Sequence, residues 1–264
     1  MRSTPLFIVF EGPDGAGKST LAAALADALQ TTTWSTAEPT RGPFGLAARQ
    51  RLHDAARLEN EATSLTPDLA ARSVQLRRAE ALGLFLADRL AHLDDIAAHL
   101  AAGETVLCDR YALSTWAYQG QALSPDPHAT LKLCMQGVRA PDLTVLMLAP
   151  EAVLLERVGA RNHADPVEVE VQVRRHAQAY RTFADSLRLF AGLRSEADPG
   201  ALHPDSDFRG AFLLRHPIAP GPFLLVPWTQ SIPQNVRCIT DALAAITQRR
   251  RGMPANDLPR GEFE

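Results

Sequence analysis

The chain has 264 residues, 46% of them apolar and 22% charged, so it can bury a sizeable core without disulfides or metals to hold it. Its 27 Lys and Arg against 30 Asp and Glu leave a net charge of -3, which excludes a global electrostatic pull toward nucleic acid or an acidic membrane, so any anion must be bound locally. Cys108, Cys134 and Cys238 are odd in number and widely spaced, no apolar run approaches the roughly 18 residues of a membrane span, and Leu6–Phe10 is too short for a signal-peptide core; a cytoplasmic protein with buried thiols is expected.

The run Leu6 to Phe10, ended by Glu11-Gly12 and followed by an alanine-rich helical pattern over Ser19 to Leu29, predicts strand, glycine turn and helix. Thr63–Leu69 reads as a polar connection before another helix. Leu82 to Leu100 carries apolar residues at 82, 86, 90, 93, 97 and 100, a helical stripe that Gly103 ends. Further short apolar runs at Thr105–Cys108, Leu143–Leu148 and Phe223–Val226 read as strands buried on both faces. Strands of this kind alternating with helices predict an α/β three-layer sandwich around a central parallel sheet. Gly192–Pro222 shows no sustained period and reads as an insertion, about 192–222, with a small edge strand at Ala211–Leu214. After Gln248 the arginine run Arg249-Arg250-Arg251 and the Gly, Pro and acidic residues beyond it predict a disordered tail over 249–264, which leaves 1–248 as a single domain.

Gly12-Pro13-Asp14-Gly15-Ala16-Gly17-Lys18-Ser19 satisfies the eight-position P-loop pattern directly after a strand and at the start of a helix. The glycines let main-chain N–H groups converge on phosphate oxygens, and the positive end of the helix reinforces that field. Gly12, Gly15, Ala16, Gly17, Lys18, Ser19 and Thr20 are therefore the candidate nucleotide-binding residues. Lys18 is expected to neutralise the β- and γ-phosphates, and the Ser19 hydroxyl to ligate Mg²⁺. The chain lacks the guanine-selecting N-K-x-D motif, which favours ATP.

Beyond the loop, Phe10 to Thr20, Glu38-Pro39-Thr40, Leu84-Phe85 with Asp88-Arg89, and Asp109-Arg110-Tyr111 through Ser114 to Ala117-Tyr118-Gln119-Gly120 closely resemble the thymidylate kinase family, over roughly residues 5–190. The resemblance implies a P-loop kinase fold with a lid, and ATP- and Mg²⁺-dependent phosphoryl transfer to a deoxynucleoside monophosphate, dTMP to dTDP. It also implies a role in nucleotide biosynthesis and a homodimer formed through helices near the long one. It places Phe85 and Arg89, four apart on the long helix, on the acceptor nucleotide and Arg110 on its phosphate; Glu38, Tyr111, Ser114, Tyr118 and Gln119 shape the pocket around them. Asp14 and Asp109 then lie near Mg²⁺ or its waters, with Asp109 beside Ser19 as a metal ligand. An ionised phosphate acceptor needs no general base, so Lys18, Mg²⁺ and arginines carry the catalysis.

Two departures qualify that match. In the lid, about 157–168, Arg157 and Arg161 occupy the first basic positions, but Asp165-Pro166 stands where the family shows Asp-Arg, which leaves Arg161, Arg174 and Arg175 as stand-ins and His163 as a loop residue. Ala37 stands before Glu38-Pro39 where bacterial members often carry arginine. Trp228-Thr229-Gln230-Ser231 occupies the position of the loop that approaches adenine. Two alternatives stay open: a kinase acting on a hydroxyl, with Glu38 as base, or a nucleotide-binding protein without turnover.

Overall fold

The computed structural model describes residues 4–60, 66–120, 126–160, 166–190 and 214–252. Among them the chain order is β1 (Phe7–Glu11), α1 (Lys18–Ala28), β2 (Thr33–Ala37), α2 (Pro43–Asn60), α3 (Pro67–Ala101), β3 (Thr105–Asp109), α4 (Ala112–Tyr118), α5 (Pro127–Cys134), β4 (Leu143–Leu148), α6 (Glu151–Gly159), α7 (Pro166–Phe190), β5 (Leu214–Arg215), β6 (Pro222–Pro227) and α8 (Ile232–Gly252). The sheet runs β2-β3-β1-β4-β6-β5, parallel throughout except for the two-residue edge strand β5, which pairs antiparallel with β6. β1 buries all five of its residues, and its side chains alternate between two cores. Phe7 and Val9 join the core beneath α3, α4, α5 and α7, whereas Ile8 and Phe10 join the core beneath α1, α6 and α8. Burial on both faces makes the sheet the middle of three layers, as its continuous apolar strands predict.

The chain leaves β1 for the outer strand β2, returns to β3, then crosses to β4 on the other side of β1. That reversal opens a crevice at the carboxyl edge beside β1, where open α/β sheets bind ligands. Glu11, Asp109 and the residues after Ala37 all end strands at that edge.

Three sequence expectations change. The long helix begins inside the expected polar connection, of which 63–65 lie outside the described residues: Thr66 caps α3 by accepting from Leu69 N, Pro67 follows, and the helix continues through Gly83 for 35 residues, about 50 Å. Its core face is wider than the apolar stripe: Leu82, Leu86, Leu93 and Leu100 pack on the core, Leu90 is 56% exposed, and Ala81, Phe85, Asp88, His92 and Ile96 are buried as well. Finally, α8 continues to Gly252, so 249–252 are helical, with Arg250 paired to Asp142 at the foot of β4. Residues 191–213, which hold most of the expected insertion, and 253–264 lie outside the described residues. No helix among the described residues is long and apolar enough to cross a membrane.

Candidate active site

The loop after β1 requires its glycines. Gly12, Gly15 and Gly17 have φ of 144°, 81° and 96°, and a Cβ on Gly12 would come 2.2 Å from the Met147 carbonyl oxygen. Gly17 is the N-cap of α1 and sets the helix end toward the loop. Lys18 is buried and its Nζ donates to the carbonyls of Gly12 at 2.9 Å and Pro13 at 2.8 Å. Burial, reinforced by the charge of Arg110, pulls its pKa down to about 8 although Asp109, Asp14 and Glu11 oppose the shift. Ser19 Oγ donates to Asp109 Oδ2 at 2.5 Å, while Asp109 Oδ1 is buried without a hydrogen-bond partner among the described residues. Ala16 is buried and Thr20 is exposed on the first turn of α1.

Beside this loop lies a cleft of about 270 Å³. Of the expected acceptor residues, Glu38, Phe85, Arg110, Tyr111, Ser114, Tyr118 and Gln119 line it, as does Asp14 from the loop. Arg110 is the sole non-glycine residue with positive φ among the described residues, at 72°. The turn is held by Glu11, a fully buried carboxylate whose Oε1 accepts from Tyr111 N at 2.9 Å and Ser114 N at 3.0 Å, capping α4 from another strand. Burial raises the Glu11 pKa against the hydrogen bonds from Ser114 and the charge of Arg110. Arg110 Nη1 donates to Ser114 Oγ at 3.2 Å, and Nη2 to Tyr118 Oη at 3.1 Å and to an Asp14 carboxylate oxygen. Burial pushes the Asp14 carboxyl up, but Arg110 and Lys18 outweigh it and hold it below the ordinary range.

Arg89 is not brought to the cleft wall. It is 3% exposed, with Nε on Glu38 Oε2 at 2.8 Å, Nη2 on Thr115 Oγ1 at 2.6 Å and its carbon 5.1 Å from the Tyr111 ring centroid. His92, one turn on, bridges Glu38 Oε1 at 3.1 Å and Thr36 Oγ1 at 2.8 Å. Asp88 accepts from Thr40 N at 2.7 Å and Thr40 Oγ1 at 2.5 Å. Three consecutive polar positions of α3's buried face thus clamp the end of β2 and the loop that follows. That loop also accepts from Arg49 of α2, at Thr40 O (2.7 Å) and Pro39 O, which brings a second arginine to the cleft. Sequence reasoning missed Arg49, His92 and Glu11's capping role; an arginine two turns after the Gly42-Pro43 helix start was the available signal for the first.

On the donor side, Arg157 of α6 reaches the loop and donates to Gly15 O at 3.0 Å. Arg161, His163 and Asp165 lie outside the described residues. Arg174 is paired with Glu170 of its own helix at 2.6 Å and with Glu151 of α6 at 4.0 Å. Trp228 is 38% exposed in the turn after β6, at the same sheet edge as the loop but two strands from β1.

The family model described as thymidylate kinase matches residues 10–191. The thymidylate kinase of Pseudomonas fluorescens strain SBW25 is 36% identical over 199 residues, 74% of this chain and 84% of that one. The thymidylate kinase of P. fluorescens strain Pf-5 is 33% identical over 252 residues, 94% of this chain and all of its own. That of Desulfovibrio desulfuricans strain ATCC 27774 is 40% identical over 162 residues, 60% and 69% of the two chains. With the loop, the cleft and these matches in agreement, the chain is a member of the thymidylate kinase family.

Proposed function

We propose that this chain transfers the γ-phosphoryl group of ATP to dTMP, giving ADP and dTDP. Membership of the family makes it a nucleoside monophosphate kinase. The observation that carries the proposal is the Arg110–Asp14 pair, which sets the cation of the acceptor cleft against the mouth of the phosphate loop. Two phosphorylated ligands can then meet end to end, one cradled by the main chain of 12–19 and the other gripped by Arg110 with Arg49 opposite.

The acceptor phosphate has a second pKa near 6, so at pH 7 its oxygen is mostly ionised and attacks without a general base. Catalysis is positioning plus positive charge around the transferred group, supplied by Lys18, Arg110 and Arg157, with Arg161 a further candidate. Ser19 and Asp109 are the candidate metal ligands: both offer hard oxygens suited to Mg²⁺, and Asp109 Oδ1 has no donor among the described residues. These two residues would hold Mg²⁺, which would supply positive charge to offset that of the phosphates. Phe85, Tyr111, Tyr118 and Gln119 enclose the nucleoside, and Ser114 orients Arg110. Arg89 is assigned a supporting part, holding Glu38 and Thr115 at the cleft floor.

Glu38 argues against a hydroxyl acceptor: both of its oxygens are engaged, by Arg89 and His92, so it is a counter-ion and not a free base. A homodimer is supported by Leu69, Leu76 and Leu90 of α3, each at least half exposed and spaced by multiples of seven, a stripe that a second copy can cover. The described segments from 4 to 252 are read as one catalytic unit, and three free thiols support a cytoplasmic setting. Incubating the protein with ATP, Mg²⁺ and each deoxynucleoside monophosphate, beside thymidine, tests the function. ADP formation with dTMP is expected; transfer to thymidine alone, or to nothing, refutes it. Lys18→Ala and Arg110→Ala are each expected to lose transfer with the fold kept.

A further inference from the structure

The acceptor cleft is backed by a helix that contributes nothing to its lining. α7 presents Tyr180 and His176, one turn apart, to Ser114 and Tyr118 of α4, also one turn apart, so the two helices meet in two rungs. The inner rung is closed by hydrogen bonds: Tyr180 Oη lies 2.8 Å from Ser114 Oγ, and both donate to Glu11 Oε2, at 2.9 and 2.6 Å. Tyr180 is fully buried, so this rung fixes α7 against α4 and β1.

The outer rung is different in kind. The His176 ring stacks on Tyr118 with centroids 3.8 Å apart and planes 29° apart. Tyr118 in turn has the Arg110 guanidinium carbon 4.7 Å from its centroid, accepts from Arg110 Nη2 and donates to Asp14 Oδ2 at 2.8 Å. The ring's only polar atom is spent on the pair that joins acceptor cleft to phosphate loop. Tyr180 meets the ring only edge-on, with centroids 6.4 Å apart, so the flat partner against its face is what limits its swing about the hydroxyl. His176 suits the place because burial, with Arg175 and Arg110 nearby, lowers its pKa to about 4 despite Asp14. The imidazole is neutral at working pH and adds no cation beside Arg110.

We propose that His176 is a positioning residue for phosphoryl transfer, acting through the Tyr118 ring to hold Arg110 on Asp14 at the junction of the two ligands. The inference rests on the dTMP kinase reading for its kinetic readout but not for its structural one. It ties acceptor binding to α7.

The test compares wild type, His176→Ala and His176→Phe, each alone and with Tyr118→Phe. His176→Ala is expected to raise the KM for dTMP about 3- to 10-fold, the range set by losing one aromatic contact, with the KM for ATP unchanged. His176→Phe, which restores a flat ring, is expected to return the KM to within about twofold of wild type. In the Tyr118→Phe background, which has lost the hydroxyl link, His176→Ala is expected to add little. Equal rises in both KM values, no rescue by phenylalanine, or full additivity with Tyr118→Phe overturns the proposal. A crystal structure of His176→Ala gives an answer independent of activity: Arg110 released from Asp14 supports it, and an unchanged Arg110–Asp14–Tyr118 cluster overturns it even if dTMP proves not to be the acceptor.

Discussion

Glu38 offers the sharpest separation between a structural counter-ion and a catalytic base. Replacing it with alanine leaves Arg89, 3% exposed, with only neutral partners: Thr115 Oγ1, the Cys134 carbonyl and the Tyr111 ring. Removing one member of a buried ion pair costs about 3–5 kcal/mol, because the remaining charge stays desolvated. Against a total stability of roughly 5–15 kcal/mol that is a large fraction. At about 2–4 °C per kcal/mol for a chain of this size it lowers Tm by about 6–20 °C. Glu38→Gln keeps an acceptor for Arg89 and a donor for His92, so the expected loss is only about 1–3 kcal/mol. Glu38→Leu combined with Arg89→Met removes both charges and is expected to recover most of the alanine loss. Scanning calorimetry reads the stabilities, and steady-state assays with dTMP and with thymidine read the chemistry. Glu38→Gln is expected to keep dTMP phosphorylation within about tenfold, since an ionised phosphate needs no proton acceptor. A folded Glu38→Gln protein that has lost transfer to dTMP, or a Glu38→Ala protein as stable as wild type, refutes the reasoning.

Gly12→Ala places a Cβ 2.2 Å from the Met147 carbonyl at a φ of 144°, so ATP binding is expected to be lost in a calorimetric titration, together with about 3 kcal/mol or more of stability. His216 accepts from Ile218 N and Ala219 N through Nδ1, and burial, with the charge of His128, lowers its pKa to about 4. The unfolded imidazole takes up its proton near pH 6.5 and the folded one near 4. Stability is therefore expected to fall as pH drops through that window, His216 contributing up to roughly 3 kcal/mol, and His216→Gln is expected to make the denaturation profile less steep there, with His176 supplying the remaining slope. Leu76→Glu, placing a charge in the exposed leucine stripe of α3, is expected to shift the sedimentation coefficient to that of a monomer; unchanged sedimentation sends the interface elsewhere.

The strand–loop–helix unit at the start of the chain is legible because its glycines serve backbone angles and close approaches that other residues cannot. The strands Thr105–Asp109 and Leu143–Leu148 are legible for a related reason: burial on both faces leaves an unbroken apolar run. The face of α3 is legible only in part. Hydropathy finds Leu82, Leu86 and Leu93, which pack on the core, but not Asp88, Arg89 and His92, polar groups whose burial is offset by partners distant in sequence. No local pattern records those partners. The partner of Arg89 is hidden for the same reason: its spacing from Phe85 suggests a shared ligand, and nothing local announces that Glu38, 51 positions away, engages its Nε. Strand order is likewise hidden, because β2 reads Thr-Trp-Ser-Thr-Ala, a weak edge-strand signal.

The left-handed backbone at Arg110 has a consequence for how this protein can change. An L-residue with a side chain gives up about 1–2 kcal/mol to adopt that conformation, and glycine gives up none. The ion pair that the guanidinium makes with half-exposed Asp14 returns little of this. Selection for heat tolerance alone would therefore drift toward glycine at position 110, and on the proposed reading that sturdier molecule would have given up its grip on the acceptor phosphate.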